Sequence, residues 1–132
     1  MISIDVKTRL GAFTLDAQIE PGADSHTLAL YGRSGCGKTS LVNTVAGLLR
    51  PDQGRIVIGQ DVLLDSQAGI EIPAQKRRIG YVFQEGRLFP HLNVHNNLIY
   101  GQRRNGEGPI SLSQAVELLD LAPLLARKPY AL

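Results

Sequence analysis

At 132 residues, with 43% hydrophobic and 20% charged side chains, the chain has the make-up of an ordinary water-soluble domain or part of one, and its apolar runs fall far short of the ~20 residues that cross a bilayer. A net charge of +2 is too small to argue for a nucleic-acid partner, so Lys76-Arg77-Arg78 and Arg103-Arg104 read as solvated turn and helix-end residues. The single cysteine, Cys36, excludes an internal disulfide and a cysteine-built metal site, and Met1 leads into Ile-Ser-Ile-Asp-Val rather than a secretion signal, which predicts a cytosolic location.

In chain order, Ile2, Ile4 and Val6 alternate with Ser3 and Asp5, and Phe13, Leu15, Ala17 and Ile19 alternate with Thr14, Asp16 and Gln18. Period-two alternation predicts two half-buried strands, and the turn around Arg9 to Gly11 makes them an antiparallel hairpin ended by Pro21-Gly22. Thr27 to Tyr31 is a short, nearly continuous apolar run, the pattern of a strand covered on both faces in a parallel sheet. Leu41, Val42, Val45, Leu48 and Leu49 then recur at helical spacing until Arg50-Pro51.

Between that strand and that helix stands Gly32-Arg33-Ser34-Gly35-Cys36-Gly37-Lys38-Thr39-Ser40, which fits the phosphate-loop pattern G-x-x-x-x-G-K-[ST] at every fixed position. Glycines let successive N–H groups turn inward as a nest for the β- and γ-phosphates. Lys38 adds a full positive charge, Thr39 offers a hydroxyl to Mg²⁺, and the helix starting near Gly37 brings its positive dipole end to the same point. Cys36, at a helix N-terminus beside Lys38, is expected to be a reactive thiol as well as a small filler of a variable position.

Beyond the helix, Arg55 to Ile58 and Asp61 to Leu64 read as strands joined by a Gly59-Gln60 turn, so that an antiparallel layer accompanies the parallel core. Ala74 to Arg78 can form a helical turn, and Ile79 to Phe83 reads as a core strand delivering Gln84 at its C-terminal end, where ligands lie in open α/β sheets. A side-chain amide there can reach the metal or the attacking water. The apolar turn Leu88-Phe89-Pro90-His91 follows on the surface and suggests a docking site. The pattern turns helical from Val94 to Tyr100, breaks over Gly101 to Pro109, and resumes at Ser111, where Ser111-Leu-Ser-Gln114 matches a capping box.

The loop from Gly32 to Ser40, the segment Tyr81-Val-Phe-Gln84 about 45 residues on, and Arg87-Leu-Phe-Pro-His91 together resemble the nucleotide-binding subunit of ABC transporters, most of all that of bacterial molybdate importers. The resemblance covers essentially the whole chain. It implies an α/β P-loop NTPase core with an antiparallel β layer and the start of a helical subdomain. Residues 1–92 would be a partial nucleotide-binding core with Walker A and Q-loop, and 93–132 a partial helical subdomain. By the same resemblance Lys38, Thr39 and the loop around them are the Walker A site for ATP·Mg²⁺. Gln84 is the Q-loop residue linking Mg²⁺ and the hydrolytic water to a membrane permease, and Leu88 to His91 meets that permease. The intact protein is then a homodimer, peripheral on the cytoplasmic face of the inner membrane. An aromatic for adenine is expected in the hairpin, with Phe13 the candidate and Leu10 the alternative position.

The family's Ser-Gly-Gly signature, Walker B strand with its catalytic glutamate, and switch histidine do not occur in these residues; His26, His91 and His95 all stand before the place for that histidine. Hydrolysis by this stretch alone is therefore not expected. Two other readings stay open: a non-hydrolysing nucleotide-binding module, and an unrelated phosphate-loop enzyme. The second lacks the Asn-Lys-x-Asp element by which a GTPase would read guanine, and no substrate lid of a small kinase is found.

Overall fold

The computed structural model describes residues 2–22, 25, 27–101 and 109–132. Arg103, Arg104, His26 and most of the break expected between Gly101 and Pro109 lie outside the described residues. The chain divides into two compact units, Met1–Tyr81 and Val82–Leu132, by the density of contacts within each, whereas motif content placed the expected division after residue 92.

The first unit is built on a five-stranded, wholly antiparallel sheet. Strands β1 (Ile2–Leu10) and β2 (Phe13–Ile19) form the expected hairpin, followed along the chain by β3 (Gln53–Ile58), β4 (Asp61–Asp65) and the short β5 (Ile70–Glu71), in the spatial order β2-β1-β3-β4-β5. Alternation in β1 fixes the register: Ile4, Val6 and Thr8 are buried while Asp5, Lys7 and Arg9 face solvent, and a slip of one residue would exchange the two sets. The inward side chains join Leu15, Ile56, Leu63 and Leu64 in one core cluster. Ile56 and Val6 are fully enclosed, each contributing about 1.5–3 kcal/mol of transfer free energy.

Helix α1 (Lys38–Ala46) adds Leu41 to that cluster. It is shorter than its apolar spacing suggested. Gly47, left-handed at φ 76°, ends it, and the N–H groups of Gly47, Leu48 and Leu49 turn back onto the last-turn carbonyls of Asn43 and Thr44. Leu48, past that stop, stands exposed, as does Val42 within the helix, while Thr44, passed over by the apolar pattern, is fully buried with its hydroxyl donating to the Ser40 carbonyl.

Two expected core strands are not strands here. Thr27 to Tyr31 and Ile79 to Phe83 pair with no strand among the described residues. A strand exists only through its ladder, and a parallel one needs a neighbour that no described segment supplies. Leu30 and Ile79 still pack on the core, but Tyr31 is fully exposed at 104% and Val82, beyond the unit boundary, at 96%.

In the second unit, α2 (Val94–Tyr100) and α3 (Leu112–Leu118) appear where the sequence places them. Asn93 caps α2 by accepting from the Asn96 N–H, and the Ser111/Gln114 capping box forms with both of its hydrogen bonds. The Val94 and His95 N–H groups, left over at the start of α2, donate to the carbonyls of Arg127 and Leu125. No helix of the described residues is long and apolar enough to cross a membrane.

Candidate functional site

The loop between Leu30 and α1 is shaped by its glycines. Gly37, at φ 95° and ψ 7°, is the N-cap of α1, and a Cβ there would lie 3.0 Å from the Phe13 ring and 3.1 Å from Leu15. Only glycine combines that backbone with that proximity. Because Gly37 has no side chain to cap with, and no acidic residue occupies the first turn, the positive end of the helix is left uncovered at the loop.

Lys38 closes the loop on itself. Its Nζ donates to the carbonyls of Gly32 and Arg33, both at 2.8 Å, and lies 3.6 Å from the Cys36 Sγ. Three ammonium donors thus meet three loop acceptors, of which the thiol is the weakest. Thr39 is exposed on the first turn of α1, as are the loop positions Arg33, Ser34 and Gly35. Phe13, 39% exposed, presents its ring to Gly37; Leu10 is its hairpin partner across the turn. Of the two candidates for an adenine-stacking side chain, Phe13 is the one that borders the loop.

Arg77 is not the solvated residue that its basic neighbours implied. It is 7% exposed, and its guanidinium donates to the Ile72 carbonyl at 2.6 Å and to the last-turn carbonyls of α1, Thr44 at 2.9 Å and Val45 at 2.8 Å. A cation is thereby held at the negative end of the helix whose positive end faces the loop. Burial draws its pKa down from the usual arginine value and the nearby Glu71 carboxylate opposes this. Four residues on, the Tyr81 hydroxyl donates to the Asn43 Oδ1 of α1 at 2.8 Å. Nothing in the charge pattern marks Arg77 for burial; its apolar flanks, Ile72 and Ile79, are the only sequence hint.

In the second unit Gln84 is exposed, and the Arg87 guanidinium lies 4.4 Å above the Phe83 ring. The Leu88 to His91 turn is exposed but firmly built. The Asn97 side chain accepts from the Phe89 N–H at 2.8 Å and donates to the carbonyls of Phe89, Leu92 and Asn93, while the Phe89 ring packs 4.3 Å from Tyr100. Sequence reading missed Asn97; an asparagine one helical turn after the Asn93 cap was the available signal. A polar recess of about 340 Å³ on the open face of the sheet, lined by Asp5, Lys7, Arg55 and Asp65 among others, is a self-neutralised surface: Lys7 pairs with Asp16 and Arg55 with Asp65.

With the loop, the helix and the Tyr81 to His91 segment in place, comparison with known proteins is decisive. The ABC transporter family pattern matches residues 14–131. The chain belongs to the ABC transporter family. It is 50% identical over 131 residues to the molybdenum import ATP-binding protein ModC of Paramagnetospirillum magneticum, a match covering 98% of this chain and 36% of that protein. It is 48% identical to the ModC of Rhizobium meliloti, over 97% of this chain and 36% of that one. The chain thus spans about a third of the length of the curated relatives it matches. Among solved structures, the ATP-binding cassette MJ0796, in a dimeric post-hydrolysis state bound to ADP and Pi, matches with a TM-score of 0.66 at 22% identity, over 100% of this chain and 63% of that one. The cassette MJ1267 matches at a TM-score of 0.67 and 23% identity, over 99% and 58%. These structures show the ABC ATPase fold, here an incomplete P-loop core with its antiparallel layer.

Proposed function

We propose that this chain is the phosphate-loop portion of the ATP-binding subunit of an ABC importer and that it holds ATP·Mg²⁺ at Gly32 to Ser40. One observation carries the reading: a self-closed glycine loop whose lysine ammonium and uncapped helix terminus concentrate positive charge at one place. Phosphate oxygens would compete with the Gly32 and Arg33 carbonyls for Lys38, taking first the donor now spent on the Cys36 sulfur. Thr39 supplies a hydroxyl and Gln84 a side-chain amide oxygen, hard donors of the kind Mg²⁺ takes. When bound, Mg²⁺ would neutralise charge on the β- and γ-phosphates. Phe13 offers an aromatic edge for the base.

Hydrolysis and transport belong, in this reading, to the full-length protein. It would work as a dimer of ATP-binding subunits, peripheral at the cytoplasmic face of the cell membrane, coupled through the Leu88 to His91 turn to a permease. Molybdate as cargo is supported by the names of the ModC relatives; importers of other anions, metals or polyamines are the alternative. The test is titration of this chain with a fluorescent ATP analogue and Mg²⁺, with phosphate release followed in parallel. Binding that falls at least ~10-fold in Lys38→Ala, without turnover, is expected; a tenfold loss corresponds to about 1.4 kcal/mol. Equal binding by the variant, or none by the native chain, would overturn the proposal.

A further inference from the structure

Residues 77–81 form a strap laid on α1 and anchored at both ends. At one end Arg77 donates to the Thr44 and Val45 carbonyls; at the other Tyr81 donates its hydroxyl to Asn43. Between them Arg78 holds a left-handed backbone at φ 53°, a conformation that a non-glycine residue keeps only where its surroundings over-determine it. Among the described residues the strap joins no strand ladder, and the side chains of Arg77 and Tyr81 tie it to α1. Tyr81 is also the last residue of the first unit. The chain reaches Gln84 from it through Val82 and Phe83 alone.

We infer that Tyr81 and Asn43 are positioning residues: their hydrogen bond, backed by Arg77, ties the segment leading to Gln84 to the helix that begins at the phosphate loop, so that occupancy of the loop is reported to Gln84. This rests on the nucleotide-binding reading. Asn43 lies on the same helix as Lys38 and Thr39, so a shift of α1 as its N-terminus takes up phosphates carries the Tyr81 anchor with it. Without the bond, α1 responds and the Gln84 segment is released from that response.

The test uses the whole chain, ¹⁵N-labelled and titrated with Mg²⁺ and the ATP analogue AMP-PNP. Two resonances are followed, the Gly37 backbone amide and the Gln84 side-chain amide. In the native chain both should shift along one binding curve. In Tyr81→Phe, which removes a single oxygen, Gly37 should titrate with Kd unchanged within about twofold while the Gln84 shift falls at least twofold. Asn43→Leu should behave likewise, and Asn43→Asp, whose carboxylate accepts the same hydroxyl, should restore the Gln84 response. This pair decides the matter if Tyr81→Phe does not fold. A Gln84 shift of native size in Tyr81→Phe and Asn43→Leu, or a Gln84 amide silent in the native chain while Gly37 responds, would overturn the inference alone. A silent Gly37 would remove the nucleotide-binding reading and the inference together.

Discussion

Replacing Arg77 by methionine keeps the aliphatic stem and deletes the guanidinium. Three hydrogen bonds are lost, to the carbonyls of Ile72, Thr44 and Val45. Bonds from a charged donor contribute about 1.5–3 kcal/mol each, which would total about 4.5–9 kcal/mol were there no opposing term. There is one: enclosing a cation costs several kcal/mol, a cost the variant escapes. Thr44 also keeps one hydrogen bond, from the Gly47 N–H. A net loss of about 2–4 kcal/mol follows, a large share of the ~5–15 kcal/mol by which domains are stable, and at about 3–4 °C per kcal/mol it lowers Tm by roughly 6–16 °C.

Urea unfolding followed by circular dichroism measures the loss, and a second substitution makes the reasoning specific. A Cβ at Gly47 would stand 2.7 Å from the Arg77 Nε and 3.1 Å from the Ala74 Cα, on a residue at φ 76°. Gly47→Ala therefore carries both a backbone cost of about 1–2 kcal/mol and a collision with the guanidinium. In the Arg77→Met background the backbone cost stays, while the collision is relieved because the thioether end, no longer held by three hydrogen bonds, can swing aside. The double variant should fall short of the sum of the singles by at least ~0.5 kcal/mol. A loss below about 1 kcal/mol for Arg77→Met, or strict additivity with Gly47→Ala, would show that water satisfies the α1 carbonyls as well as Arg77 does, and the argument for a buried cap would fall.

Two other perturbations address the loop and the turn. Cys36 is exposed, and its sulfur sits 2.8 Å from where a Gly32 Cβ would be, inside the curve of the loop; N-ethylmaleimide should modify it and abolish analogue binding, with ATP·Mg²⁺ slowing the modification, and equal labelling rates with and without nucleotide would refute this. Asn97→Ala removes the acceptor of the Phe89 N–H and donors to three carbonyls, so hydrogen exchange at the Phe89 amide should accelerate at least ~10-fold, equivalent to about 1.4 kcal/mol, with the core of the first unit unchanged; a Phe89 amide as protected as before would mean that the Leu88 to His91 turn holds its shape without Asn97.

Features set by near neighbours in the chain were legible. The β1–β2 hairpin follows from alternation, the start of α3 from the Ser111/Gln114 spacing, and the start of α1 from Gly37 ahead of Lys38, because in each case the deciding contacts span a few residues. The end of α1 was misjudged because apolar spacing ran on to Leu49 while the left-handed Gly47 had already stopped the helix. Apolar runs at Thr27 to Tyr31 and Ile79 to Phe83 say that the chain wants burial, not that a partner strand is at hand; Leu30 and Ile79 find the core and Tyr31 does not. Arg77 was misread for the same reason. Its burial is decided by α1 carbonyls more than thirty positions earlier in the chain, and no local pattern encodes an acceptor at that separation.

The division between local and distant determination also runs through the site. Lys38 meets the Gly32 and Arg33 carbonyls across a handful of residues, so the phosphate loop takes its form from its own sequence and can be read from it. Gln84 is exposed, three residues past Tyr81. Ahead of it the chain is tied to α1 by three side-chain bonds, two from Arg77 and one from Tyr81, each spanning more than thirty residues. A motif scan sees two separate signals, a glycine loop and a glutamine; in the inference drawn above, the helix gripped at its C-terminal turn by Arg77 and along its side by Tyr81 is what couples them. Substitutions in that helix which spare every motif residue, Asn43 foremost, should therefore uncouple the two signals without erasing either.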